Sequence, residues 1–272
     1  MQIQIHISSC VSARIFVFTL AILGASFFAS GVAQAASLAD GLKNYKSFVV
    51  EHIGVALSGA KELQQAVKAK NAKAAQTAWI KSRKGWEAVE PITGEFFSEL
   101  DEAIDAWPDS KKGYHAIEAA LFAGKLGGIF APVDELVANL AKFSNELGKP
   151  DFQFEPQGLM NGLTKLAYEV GENKSKGGES PYAGTSLIDM QENVEGIEAL
   201  YQMVFEDPLK EKDAKLAGEI HEKIEAVEKL VKVKSLKALN QPALHKGGEE
   251  LAVLLQSAAL KLDLNKPAVG EK

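Results

Sequence analysis

Cysteine is all but missing from this chain. Its 272 residues include one, Cys10, which precedes the N-terminal apolar stretch and so cannot be the lipid-bearing cysteine that follows a lipoprotein signal. Disulfides within the rest of the chain, and thiolate ligation of zinc or an iron–sulfur cluster, are thereby excluded. A second long apolar run is also missing: residues 15–29 are almost wholly apolar and nothing after them approaches that length. There is no P-loop, no GxGxxG, no GxSxG and no HExxH. Basic excess is absent too, since 30 Lys and Arg stand against 36 Asp and Glu spread along the chain. That balance argues against a nucleic-acid partner.

The N-terminus reads as an export signal. Residues 1–14 carry one basic side chain, Arg14, and no acid; the apolar stretch follows, and then Ala33-Gln34-Ala35, the small-x-small pattern that signal peptidase cuts after. The expectation is a cleaved secretory signal over 1–35, a periplasmic mature protein, a helical domain over 36–264 and a frayed tail over 265–272. Without Arg14, 29 basic and 36 acidic residues remain, a formal charge of −7. About 237 residues suffice to bury a large core, on which an exported protein without disulfides depends.

Helical periodicity dominates that mature segment. Leu42, Tyr45, Phe48, Val49, Ile53, Ala56 and Leu57 fall at helical spacing within 38–69; Ala75, Ala78, Trp79, Ser82, Trp86 and Val89 do so within 72–90, where Pro91 ends or kinks the run. Further helices are expected near 111–124, 132–147, 156–170, 185–205, 209–235 and 241–261. Residues 171–184, rich in Gly and Ser, predict a mobile connector or one wall of a cleft. The sum is an all-α chain with enough helices for two antiparallel four-helix bundles side by side.

The chemistry centres on Gly113-Tyr114-His115-Ala116-Ile117-Glu118. His115 and Glu118 are three residues apart, so on a helix they share a face and come within reach of one metal ion. An imidazole with carboxylates suits first-row transition metals better than calcium or magnesium. Glu87 and Glu90 repeat the spacing on the preceding helix.

Three blocks in order, Trp86-Glu87-Ala88-Val89-Glu90-Pro91, Leu100-Asp101-Glu102-Ala103-Ile104-Asp105-Ala106 and Gly113 to Glu118, resemble the imelysin, or peptidase M75-like, family in its EfeO/EfeM branch. Leu187, Asp189, Gln191, Asn193, Val194 and Gly196 resemble a fourth. The resemblance spans most of 40–260. It implies two four-helix-bundle halves with a metal site between helices, in a short form without a cupredoxin domain. It also implies a periplasmic iron-uptake component whose partners are a membrane permease and a periplasmic peroxidase. Where relatives have Tyr-Ser-His, this chain has Tyr182-Ala183-Gly184.

The expected metal ligands are therefore His115, Glu118, Glu90, Glu87, Asp134 and Asp189. Asp134 enters as an acid the family carries in this region, and alternatively as a first-turn acid favoured by the helix dipole. Iron is the expected metal, with zinc and copper as alternatives. Two other functions remain open at this point: a metallopeptidase-like hydrolase, which lacks the HExxH helix, and a module that binds a polysaccharide or partner.

Overall fold

Apolar residues at intervals of three and four build the architecture. The computed structural model describes residues 25–106 and 112–269, with side chains from Leu38 on, and among them there is no strand. The first 24 residues of the expected signal, Trp107 and Pro108, and the last three residues of the expected tail lie outside the described residues. Ser37–Lys272 forms one of two compact units. Among the described residues no helix is long and apolar enough to cross a membrane.

Helix α1 (Ala25–Lys68) aligns Tyr45, Val49, Ile53, Ala56, Ala60, Leu63 and Val67 in one buried stripe. Asn71 caps α2 (Ala72–Glu87) by accepting from the Ala74 amide at 3.1 Å. The helix expected through residue 90 stops earlier. Its successor α3 (Glu90–Phe96) carries Pro91 in the first turn, where a missing N–H breaks no helical hydrogen bond. Glu87 and Glu90 thus sit on either side of a break and not on one helix face.

Next come α4 (Ser98–Asp105), α5 (Gly113–Phe122) and, after a 3-10 turn at Leu126–Gly128, α6 (Phe130–Leu147). The second half contains α7 (Pro156–Glu172) and α8 (Ser186–Leu200). A π-helical turn, Tyr201–Phe205, carries α8 into α9 (Glu206–Val231), and α10 (Gln241–Lys261) closes the chain.

The two expected halves are present. In the second, α7 packs on α8, α8 on α9, α9 on α10, and α10 returns to α7. In the first, Ser82 of α2 donates to the Ala56 carbonyl of α1 at 2.6 Å, α2 packs on α5, and α5 on α6. Gln64 of α1 then bonds Asp134 of α6. The halves join where α2 meets α8 and α3 meets α7 and α8. At that seam a Cβ on Gly196 would stand 2.3 Å from the Ala88 carbonyl oxygen, so α8 can lie directly against the break between Glu87 and Glu90 only because residue 196 has no side chain. Beyond Leu264, Asn265 exchanges two hydrogen bonds with Gln157, and the Pro267 carbonyl accepts from Gln256. This part of the expected frayed tail is therefore held on the bundle.

Candidate functional site

A buried arginine organises the seam between the halves. Arg83, 1 % exposed, projects from α2 into a ring of acids. One guanidinium nitrogen stands 2.5 Å from Asp105 Oδ1, the other 2.6 Å from Glu87 Oε1 and 3.3 Å from Glu179 Oε2, and Nε is 3.3 Å from Asp189 Oδ2. Trp79 and Tyr114 lie against its flanks at cation–π distance. Burial opposes the charge, yet the four carboxylates more than compensate and hold Arg83 protonated well beyond its ordinary range.

Helix α5 delivers His115 to this ring. It begins at Gly113 with φ +61°, where a Cβ would fall 1.9 Å from the Ile104 carbonyl oxygen; only glycine lets α5 start so close to the end of α4. His115 Nε2 then lies 3.1 Å from Asp105 Oδ1, and Asp105 Oδ2 accepts from Trp86 Nε1 at 2.9 Å. On the other side of the ring, Nδ1 is buried, without a hydrogen bond among the described residues, and 3.7 Å from Glu118 Oε2, an ion-pair distance only. The second Glu118 oxygen accepts the backbone amides of Tyr182 and Ala183 at 2.9 and 2.8 Å.

The connector between α7 and α8 supplies the rest. Lys174, 4 % exposed, reaches Glu90 (2.9 and 3.0 Å to its two oxygens), Glu179 (3.4 Å) and Glu87 (3.9 Å). Asn193 of α8 donates to Glu87 Oε2 at 2.8 Å and Glu90 Oε2 at 2.6 Å, tying together the acids on either side of the helix break. Ser180 donates to Asp189 at 2.5 Å. A cavity of about 310 Å³ opens onto the cluster, lined among others by Glu90, Asp101, Asp105, His115, Lys174 and Glu179.

Of the residues the sequence nominates, His115, Glu118, Glu87, Glu90 and Asp189 meet in this one network. Asp134 does not. Because α6 begins at Phe130, Asp134 falls beyond the first turn, where it is exposed and accepts from Gln64 Nε2 at 2.7 Å. Sequence reasoning missed Arg83, Asp105, Lys174 and Glu179. Asp105 stood inside a recognised block; the other three carried no local signal. The connector is a wall of the cleft, as one of its two expected roles had it. Tyr114 packs in the core and shares a 2.7 Å hydrogen bond with Ser82.

Six carboxyl groups thus share a buried network with Arg83, Lys174 and one histidine. Retained protons relieve part of the imbalance. Burial lifts Asp189 to about 7, only partly countered by Arg83, and lifts Asp101 to about 6 despite a hydrogen bond with Thr93. Burial also pushes Glu90 well above the carboxylate range, against the pull of Lys174. His115 moves the same way for a different reason: burial works against its charge, but Asp105 and Glu118 raise it to about 9.

Each of these groups binds its proton more tightly folded than unfolded. Its stabilising contribution is complete below its unfolded pKa and is lost as pH rises through the folded value, from about 6 for Asp101 to about 9 for His115. The metal-free protein is therefore expected to melt at a higher temperature at pH 5 than at pH 8.5. A melting temperature that climbs across that window would contradict this proton inventory.

Among the described residues no three His, Cys, Asp or Glu side chains stand ready to hold one ion, and Arg83 and Lys174 stand against oxygens of Glu87, Asp105 and Glu90. The donor pair itself fits an ion. Metal–nitrogen and metal–oxygen bonds of about 2.0–2.2 Å together exceed the 3.7 Å between His115 Nδ1 and Glu118 Oε2, so one ion can reach both. A ligating imidazole also commonly gives its other N–H to a carboxylate, the place Asp105 holds here.

The sequence matches the profile of the Imelysin family, peptidase M75, over residues 41–113 and 111–263. It is 26% identical over 223 residues to the iron uptake system component EfeM of Pseudomonas syringae pv. syringae (strain B728a), covering 78% of this chain and 77% of that protein. With the iron uptake system component EfeO of Escherichia coli (strain K12) it shares 27% identity over 178 residues, 62% of this chain; the match spans about half, 47%, of that relative. A solved structure from Parabacteroides distasonis ATCC 8503, described as an iron-regulated protein A precursor, superposes with a TM-score of 0.68 at 14% identity, covering 83% of this chain and 95% of that one. At that identity the likeness speaks for the fold alone.

Proposed function

The chain belongs to the imelysin family, and we propose that it is a periplasmic metal-binding component of a bacterial iron uptake system, capturing an iron ion between its helices and handing it to a membrane permease. A periplasmic peroxidase is the second partner expected on this reading. The observation that carries it is the surplus of buried carboxyl groups around a histidine whose Nδ1 has no hydrogen bond among the described residues. A buried acid cluster relieved by protons and lysine is a site that a cation would stabilise further. The names of the EfeM and EfeO relatives support iron as that cation.

His115 Nδ1 and Glu118 Oε2 are the core ligands in this proposal, with Glu87 and Glu90 joining as their present partners give way. Asp105, pinned by Arg83 and Trp86, orients the imidazole. Asp189 stays with Arg83 and Ser180 as a partner of the framework. Zinc and copper fit the same donors, so preference among metals must come from geometry and supply.

The test is calorimetric titration of metal-stripped protein with anaerobic Fe²⁺, Fe³⁺-citrate and Zn²⁺, alongside His115→Ala and Glu118→Gln. Binding of iron by the wild type, weakened about 100-fold or more in each variant, is the expected result. Binding that both variants leave intact would remove this site from the function, and no binding of any of the three ions would end the uptake reading.

A further inference from the structure

Lys174 already sits where a cation belongs. Its ammonium takes both oxygens of Glu90 and lies within 3.9 Å of Glu179 and Glu87. Glu90 Oε2 additionally accepts from Asn193. With its oxygens engaged in this way, Glu90 is ill placed to coordinate an ion while Lys174 stays. An ion taken up by Glu90 would also face an ammonium standing 2.9 and 3.0 Å from those same oxygens, in a buried setting where like charges repel strongly.

The surroundings let the side chain move while its backbone stays. The short turn that carries Lys174 is anchored: the Gly177 amide donates to the Lys174 carbonyl, Ser175 Oγ to the Glu172 carbonyl, and Gln241 of α10 to the Ser175 carbonyl. The lysine stem lines the 310 Å³ cavity together with Glu169, Asn173 and Lys165. On that cavity's wall stands an acid for the ammonium to share, Glu169, whose present partner is the largely exposed Lys165 at 3.6 Å. Arg83 has no such exit, since four acids and two aromatic rings enclose its guanidinium.

We propose that Lys174 is a tethered cation that holds Glu90, Glu87 and Glu179 until cargo arrives, that the incoming metal ion displaces it into the cavity, and that this competition keeps capture reversible. The inference rests on the uptake reading above and adds to it a residue that sets affinity. Lys174 is a positioning residue: it acts through the carboxylates and not on the ion. Its pull on Glu90 also explains how three acids are kept close together without a metal.

The test uses the whole protein. Brief acetylation with acetic anhydride, read by peptide mass spectrometry, reports the exposure of each lysine with and without saturating anaerobic Fe²⁺, with redox-inert Zn²⁺ as a second probe. Lys174 is expected to react slowly without metal and severalfold faster with it, while the exposed Lys215 and Lys246 stay constant. In parallel, Lys174→Met should bind the ion about tenfold more tightly, and Lys174→Arg should keep the weaker affinity. Reactivity at Lys174 that is unchanged or lower with metal bound overturns the inference and leaves the uptake reading standing, as does equal affinity in the methionine variant. The labelling arm needs no substitution, so it decides the matter even where Lys174→Met fails to fold. If no protein binds any ion, both readings fall together.

Discussion

Arg83→Met is expected to lower the unfolding free energy at pH 7 by about 3–5 kcal/mol, the cost of removing one partner from a buried ionic network. The guanidinium faces Asp105, Glu87, Glu179 and Asp189 at 2.5 to 3.3 Å, and among the described residues no second cation reaches Asp105 or Asp189 except His115 beside Asp105. Methionine fills much of the volume but supplies no donor, so the loss is electrostatic and not a cavity effect. Lysine should not restore it, because one ammonium cannot span four carboxylates arranged around a planar fork.

Acid gives the loss a signature. In the wild type, burial alone would raise Asp105, but Arg83 and His115 hold it well below the usual range, so its contribution is present above the unfolded carboxylate pKa and lost only as pH falls below that. Without Arg83, burial wins, the folded value rises, and the sign reverses. The variant should then gain on the wild type as pH falls from 7 to 4, which denaturant titrations at each pH would show. A deficit under about 1 kcal/mol, or one that does not change with pH, would mean that Arg83 does not organise the site.

Why this residue escaped sequence reading is physical. Helices announce themselves locally: Tyr45, Val49, Ile53 and Ala56 recur at the helical period, and that stripe is what α1 buries. His115 and Glu118 were legible for the same reason, being one turn apart on α5. Arg83 meets Glu179 across 96 residues, and Lys174 meets Glu90 across 84. No spacing rule reaches that far. Lys174 and Glu179 also lie in a Gly- and Ser-rich connector, a composition that ordinarily marks solvated loop, yet both are buried. Asp134 is the opposite case, a nominated acid that lies outside the network. It was nominated because the family carries an acid in this region, but an acid on an exposed helix face needs only a neighbour such as Gln64. The break at Ala88 was half legible: Pro91 signalled it, while its placement three residues earlier depends on proline preferring the first turn of a new helix.

Metal affinity is expected to rise at least about 10³-fold between pH 5 and pH 8, the effect of one proton per ion over three pH units, and more where Glu90, held well above the carboxylate range by burial, gives up its proton to join the ion. The reason is His115. Burial disfavours its charge, but Asp105 and Glu118 outweigh that and carry its pKa to about 9, so the imidazole is protonated across this whole range when no metal is present. An ion that takes Nδ1 must expel that proton, while Nε2–H remains on Asp105. The slope should steepen below pH 7, where Asp189, lifted to about 7 by burial, and Asp101, lifted to about 6, take up protons of their own. Titrations with Zn²⁺ in buffers of different ionisation enthalpy would count the protons directly, and His115→Ala should release one fewer per ion at pH 8. If the wild type released none there, His115 would already be neutral, its ion pair with Asp105 would be a plain hydrogen bond, and the relief of buried charge would fall to Lys174 and the carboxyl protons alone. The pH slope thus separates a site that exchanges a proton for its cargo from one that exchanges only a lysine.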